Sequence, residues 1–278
     1  MEKITSHSNQ KLKLARALRS RKGRDEEGLF LLEGVFHMGE ALAAGAGFEF
    51  ALVSPELLSS GFALKLASDL EAEGVPVYEV GADLLESVSG RENPNGLMGV
   101  LRQAYVGLED LRADTFGRGV AVVEAADPGN LGSLLRTIDA AGADGLVLVD
   151  GGVDAYHPSA LRAGMGAHFW RPMARASFAD FAAWATGGGY RVIGSSATGE
   201  EPYPTSAARW IPENATHFPG GFEEVPWVLL LGSEREGLSE AQRGICERVV
   251  RIPMRGRVTS LNLAVAAGVL LYGLMGEK

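Results

Sequence analysis

At 278 residues the chain exceeds one typical domain and suits two compact units of about 100–150 residues each. Apolar residues make up 46% and charged residues only 22%, which excludes a disordered chain and supplies two buried cores. A net charge of −9 excludes indiscriminate nucleic-acid binding, and a single cysteine, Cys246, excludes an internal disulfide and a cysteine-built zinc site. The lone thiol suits a reducing compartment. The opening Met1-Glu2-Lys3-Ile4-Thr5-Ser6 lacks the apolar core of a signal peptide. The longest apolar stretch, 261–275, falls short of the roughly 20 residues of a membrane span and is interrupted by Asn262. A soluble, cytoplasmic protein with no metal site and no membrane partner is expected.

In chain order, a basic segment comes first. Lys3, Lys11, Lys13, Arg16, Arg19, Arg21, Lys22 and Arg24 face the single acid Glu2 within 24 residues, while the rest of the chain is acidic. A focused basic arm on an acidic body suits local phosphate contact, and a solvated helix face is the alternative. A helix is expected over 9–21, with Leu14 and Leu18 on one face. Apolar runs at 29–32, 48–53, 75–80 and 97–101 predict strands, and helical patterns at 35–43, 63–73 and 82–87 separate them. Arg91-Glu92-Asn93-Pro94-Asn95-Gly96 reads as a loop before the last of these strands. Residues 106–118 are polar and weakly periodic, which places a linker there.

Beyond it, strands are expected at 119–123, 145–149, 190–194, 227–231 and 249–252. Helices are expected at 131–141, 158–164, 177–185 and 260–274. This alternation predicts α/β architecture, with a mostly parallel sheet covered by helices on both faces. The stretch 198–222 has no readable motif.

Three segments stand where a strand gives way to a loop or helix, the edge at which open α/β sheets bind ligands. The first is Asp127-Pro128-Gly129-Asn130-Leu131-Gly132-Ser133-Leu134-Leu135-Arg136. Asn130 is suited to cap the helix, and Arg136 lies on an otherwise apolar helix, either paired internally or reaching into a cleft. In the second, Leu231-Gly232-Ser233-Glu234-Arg235-Glu236-Gly237-Leu238, a buried strand runs into a glycine-bounded turn carrying a carboxylate. It is neither a dinucleotide fingerprint nor a Walker loop, so a dinucleotide-dependent oxidoreductase is not supported. The third is Ile252-Pro253-Met254-Arg255-Gly256-Arg257-Val258-Thr259-Ser260-Leu261-Asn262. Ser260 reads as a helix cap, which leaves Asn262 in need of a partner if buried.

Together, in this order, Asn-x-Gly-x-x-x-Arg, Leu-Gly-Ser-Glu-x-x-Gly-Leu and Ile-Pro-Met-x-Gly-x-x-x-Ser-Leu-Asn resemble the motifs of the SpoU/TrmH family of SPOUT RNA 2′-O-ribose methyltransferases. The stretch from Ile4-Thr5-Ser6 to Phe30-Leu31-Leu32-Glu33-Gly34 is similar to the L30e-like substrate domain of members acting on ribosomal RNA. The resemblance implies an L30e-like RNA-binding domain at 1–105, a linker at 106–118 and a SPOUT domain at 119–278 whose parallel sheet contains a deep trefoil knot. It implies S-adenosylmethionine as cofactor, held by Leu231, Gly232, Glu234, Ile252, Met254, Ser260 and Leu261. Arg136, Asn130, Glu234, Ser260 and Asn262 would form the catalytic group.

A free arginine, with a pKa above ~12, is a poor base, which favours Arg136 as a cation that binds phosphate and stabilises a developing alkoxide. Lys11, Lys13, Arg16, Arg19, Arg21, Lys22 and Arg24 would contact RNA, with 23S ribosomal RNA as the expected partner. A homodimer through the C-terminal domain is implied as well, aided by the small-residue face Ala264, Ala266, Ala267 and Gly268. Gly164-Met165 stands where relatives carry a serine, so Arg162 is given no role. The competing readings are a tRNA methyltransferase of the same family, an inactive RNA-binding module, and a resistance factor protecting a ribosomal site.

Overall fold

The alternation of apolar runs and helical patterns resolves into two compact units, Met1–Gln103 with Tyr156–Arg162, and Ala104–Ala155 with Ala163–Lys278. The computed structural model describes residues 1–90, 94–197, 199, 201–202 and 225–275. Residues 91–93 of the first expected loop and most of 198–222 lie outside the described residues.

The first unit runs β1 (Glu2–Ile4), α1 (Gln10–Ala17), α2 (Arg21–Glu27), β2 (Leu29–Glu33), α3 (Val35–Ala43), β3 (Phe48–Val53), α4 (Gly61–Ala72), β4 (Val77–Val80), α5 (Ala82–Val88) and β5 (Leu97–Arg102). Its sheet has the order β1-β4-β3-β5-β2; β5 is antiparallel to both neighbours and the other pairs are parallel. Leu12, Ala15 and Leu18 pack with Phe50, Leu52 and Val100 in one core.

The helix expected over 9–21 is two helices. Asn9 caps α1, its Oδ1 accepting from the Lys11 N–H at 2.8 Å. Ser20 caps α2, accepting from the Gly23 N–H at 3.0 Å while its hydroxyl donates to the Ala17 carbonyl at 2.9 Å. This break changes the reading of the basic segment. Arg24 is 1% exposed, and its Nη1 donates to the Leu18 and Arg19 carbonyls at 2.8 and 3.1 Å. It ties the second helix to the end of the first and is corrected from an RNA contact to a core residue. Lys11 lies over the Tyr78 ring at 4.5 Å, and Arg16 donates to the His7 carbonyl at 3.0 Å. Lys13, Arg19, Arg21 and Lys22 stay exposed.

The rest of the chain adds β6 (Tyr105–Val106), β7 (Arg118–Ala125), α6 (Pro128–Ala141), β8 (Gly145–Gly152), α7 (Pro158–Gly164), α8 (Ala167–Trp170), β9 (Met173–Ala176), α9 (Phe178–Gly187), β10 (Arg191–Ser195), β11 (Glu201–Pro202), β12 (Trp227–Leu231), α10 (Glu240–Gly244), β13 (Arg248–Arg251) and α11 (Leu263–Met275). The second sheet has the order β11-β13-β10-β12-β7-β8-β9-β6, and its strand pairs are parallel. Strands buried on both faces read as continuous apolar runs, and Trp227–Leu231 is buried throughout.

The stretch 106–118, polar enough to read as a linker, has its apolar residues in this unit's core. Leu111 and Phe116 are 4% and 1% exposed there, packed with Phe181 and Val228. Among the described residues no helix is long and apolar enough to cross a membrane.

Arg24→Ala removes both carbonyl contacts and opens a cavity, so a loss of roughly 2–4 kcal/mol is expected in urea unfolding with an unchanged m-value. A loss below about 0.5 kcal/mol would return Arg24 to the surface.

Candidate active site

In the second sheet the chain proceeds from β7 to β8 and β9 on one side, while β12 and β10 lie on the other. The boundary between β7 and β12 is a topological switch point, where loops diverge and leave a crevice at the strand ends. Both strands end in segments singled out in the sequence.

After β7, Asp127 rather than Asn130 caps the helix, its Oδ1 accepting from the Asn130 N–H at 2.7 Å. Pro128 occupies the first helical position, which its fixed φ favours. Asn130 is therefore already helical, and its carboxamide is released from capping to face the crevice. Its Nδ2 donates to Oε1 of Glu234 at 2.7 Å.

After β12, Ser233 and Gly237 exchange backbone hydrogen bonds of 3.1 and 2.9 Å, closing a tight turn that presents Glu234. A Cβ at Gly232 would lie 2.3 Å from the Gly237 carbonyl carbon, so this approach of two backbone segments admits only glycine.

The last helix begins at Leu263, three residues later than expected, and its cap is Asn262 rather than Ser260. Asn262 Oδ1 accepts from the Ala264 and Val265 N–H groups at 2.9 and 3.4 Å. Its Nδ2 donates to Asn130 Oδ1 at 2.6 Å. The three segments thus meet in one relay of side chains.

The relay borders a cavity of about 680 Å³. Leu231, Ile252, Met254 and Ala266 give it apolar walls, and Gly232, Glu234, Leu261 and Asn262 also line it. Thr259 and Ser260 contribute hydroxyls. Sequence reasoning did not find Ser195, Ser196 and Ala197 at the end of β10, or Arg243, whose Nη2 donates to Ser196 Oγ at 2.7 Å. The available signal was the run of small polar residues after an apolar strand.

This donor set fits S-adenosylmethionine. Apolar walls suit an adenine ring, hydroxyls suit a ribose, and the Glu234 carboxylate suits a cation.

Arg136 does not line the cavity. It is exposed on α6, with no hydrogen-bond or ion-pair partner among the described residues. The small residues of α11 are not a free face either: Ala264 and Ala267 are buried, Ala266 lines the cavity, and a Cβ at Gly268 would touch the Thr137 methyl of α6 at 3.4 Å. They pack α11 onto α6 within the chain.

Burial pushes the Cys246 thiol up to about 11, so it stays protonated and is no nucleophile at neutral pH. No group of three or more His, Cys, Asp or Glu side chains among the described residues is placed to hold a metal.

Asn262→Ala removes the cap and the relay together, and about 1 kcal/mol of stability should go with cofactor affinity. Asn262→Asp keeps an acceptor for the helix amides but has no donor for Asn130. Its melting temperature should stay closer to wild type than that of the alanine variant, with affinity for S-adenosylmethionine still reduced in calorimetry. Wild-type affinity in both variants would detach the relay from the cavity.

Residues 118–272 match the model of the SpoU rRNA Methylase family, and residues 9–99 that of the MRM3-like substrate binding domain. The chain is 31% identical to the 23S rRNA (guanosine(2553)-2′-O)-methyltransferase RlmP of Bacillus subtilis, over 99% of this chain and 100% of that protein. An AdoMet-bound rRNA methyltransferase from Sinorhizobium meliloti is similar in structure, with a TM-score of 0.83, 33% identity, and 98% and 97% of the two chains covered. The SpoU methyltransferase AviRb from Streptomyces viridochromogenes, in complex with AdoMet, matches with a TM-score of 0.77, 27% identity, and 96% and 97% covered. With the family match spanning more than half the chain and both relay ends inside it, this protein belongs to the SpoU rRNA methylase family.

Proposed function

We propose that the protein is an S-adenosylmethionine-dependent 2′-O-ribose methyltransferase acting on 23S ribosomal RNA in the cytoplasm. The observation that carries this reading is the Asn262–Asn130–Glu234 relay at the rim of the large cavity. Ribosomal RNA is favoured over tRNA because the match to the 23S enzyme RlmP runs through both units. In this reading residues 1–105 select the RNA and 119–278 carry out transfer, with 106–118 packed into the core of the transfer unit. The C-terminal segment returns from β13, beyond β10, to pack on α6, the course a deep knot would take.

When bound, S-adenosylmethionine supplies an electrophilic methyl group. Leu231, Ile252 and Met254 would hold its base, and Ser195, Ser196, Thr259 and Ser260 its hydroxyls and polar tail. Glu234 would face its cationic part, with its own orientation fixed by Asn130. The protein's remaining task is to align a ribose oxygen and stabilise charge as its proton leaves. Arg136 is assigned as the cation for that task, because a guanidinium is a strong phosphate and alkoxide partner and a poor base.

Arg136 is exposed and outside its own chain's cavity, so it would serve the cavity of a second protomer. The outer face of α11 supports such an assembly: Val265 and Tyr272, two turns apart, are 52% and 62% exposed, and Leu261 at its foot is 36% exposed.

Methyl transfer from labelled S-adenosylmethionine to unmodified 23S rRNA, followed by mapping of 2′-O-methylated positions, tests the function. A single modified ribose is expected, and transfer to tRNA alone would replace ribosomal RNA with the rival substrate. Arg136→Ala should lower the single-turnover rate by about 100-fold or more with cofactor affinity unchanged within twofold. Near-wild-type turnover would remove Arg136 from the chemistry. Replacing Val265 and Tyr272 with lysine should convert a dimer to a monomer in sedimentation analysis, with transfer lost. A monomeric wild-type protein would refute the shared site.

A further inference from the structure

A second recess lies beside the cofactor cavity, with a volume of about 430 Å³. Glu124, Gly152 and Val153, at the ends of β7 and β8, line one side, and Glu234, Arg235 and Glu236 line the other. The turn carrying Glu234 borders both spaces, so the two meet where the relay ends. Resting on the methyltransferase reading, we propose that this recess takes the base of the target nucleotide and that Glu124 selects guanine there.

The backbone is shaped to present Glu124. The register between β7 and β8 slips between Val123 and Ala125, and Glu124 has a φ of +44°, in the left-handed region that a glutamate adopts only at a cost. Val123 and Ala125 are 3% and 2% exposed, whereas Glu124 faces outward. A bulge at a strand end is a common way to re-aim one side chain beside a site. Beside it at the end of β8, Gly152 has a φ of +104°, and a Cβ there would lie 2.7 Å from the Ala125 carbonyl oxygen, so the two strand ends close up only because the residue is glycine. The Val153 N–H donates to that same carbonyl at 2.8 Å and fixes the floor. Glu124 has no hydrogen-bond or ion-pair partner among the described residues, so its carboxylate is available to a ligand.

The chemistry of the lining narrows that ligand. Glu124, Glu234 and Glu236 face one cation, Arg235, an arrangement that repels phosphate and calls for a donor-rich neutral group. A base turned out of its stack offers its Watson–Crick edge. Guanine presents two adjacent donors, N1–H and N2–H, that match the two oxygens of a carboxylate. Adenine and cytosine present one donor beside a ring nitrogen whose lone pair would meet the second oxygen. Uracil presents one donor flanked by two carbonyls.

The test uses the full-length protein, unmodified 23S rRNA and labelled S-adenosylmethionine. The mapped nucleotide should be a guanosine. Glu124→Gln should lower kcat/KM about 10- to 100-fold, the range of one bidentate base contact, with cofactor affinity unchanged within twofold. Replacing the target guanosine with inosine, which lacks the N2 amino group, should cost the wild type about tenfold and the variant little, because the two changes remove the same contact. A modified nucleotide other than guanosine, wild-type kcat/KM in Glu124→Gln, or additive losses with inosine would overturn the assignment of Glu124. Each of these leaves ribose methylation standing. Absence of methyl transfer to 23S rRNA would instead overturn the broader reading and this one with it.

Discussion

The site depends on the polarity of two carboxamides. A carboxylate only accepts, so Glu234 requires the Nδ2 end of Asn130, and the amide plane then leaves Oδ1 of Asn130 as an acceptor on the far side. That acceptor requires the Nδ2 end of Asn262, which leaves Oδ1 of Asn262 facing the open N–H groups of α11. Each side chain has one orientation that satisfies both neighbours. The relay is fixed at one end by a charge and at the other by helix amides, and it joins residues 104 and 132 positions apart in the chain.

Parallel strands make this convergence possible. All carboxyl ends of a parallel ladder lie on one edge, so segments distant in sequence reach one crevice without long loops of their own. The adjacency of β12 and β7 puts the Glu234 turn beside the start of α6, and the packing of α11 on α6 brings Asn262 to the same place. Glycine at 232 and small residues at 264, 267 and 268 serve this packing, because larger side chains would separate backbones that the relay holds close.

The central strands and most helices were legible because their patterns are strong. Phe48–Val53 and Trp227–Leu231 are apolar runs of the length a buried strand needs, and both have the expected bounds. Short strands such as Glu2–Ile4, Tyr105–Val106 and Met173–Ala176 were not read, since two to four residues carry too little periodicity. Helix starts shifted where two residues competed to cap. Asp127 displaced Asn130, and Asn262 displaced Ser260, and in both cases the outcome turned on a tertiary partner, Glu234 or Asn130, that lies far away in sequence. Arg24 was misread because a guanidinium bonded to two carbonyls has the same composition as a solvated one. The motif residues were legible by type and spacing, whereas Ser196 and Arg243 depend on a contact across 47 residues that no local pattern announces.

Charge explains why binding and chemistry are divided. The crevice edge is acidic, with Glu124, Glu234 and Glu236 around one arginine, which suits a cationic cofactor and a donor-bearing base but repels the RNA backbone. Attraction for phosphate has to come from cations outside the crevice. On the proposed reading the first unit would contribute exposed cations such as Lys13, Arg19, Arg21 and Lys22, and the second Arg136, which does not line its own chain's cavity. On that reading a net charge of −9 would work in favour of selectivity: random RNA would meet a repulsive body, and only an RNA that presents its backbone to the cations while turning one nucleotide into the crevice would gain from both.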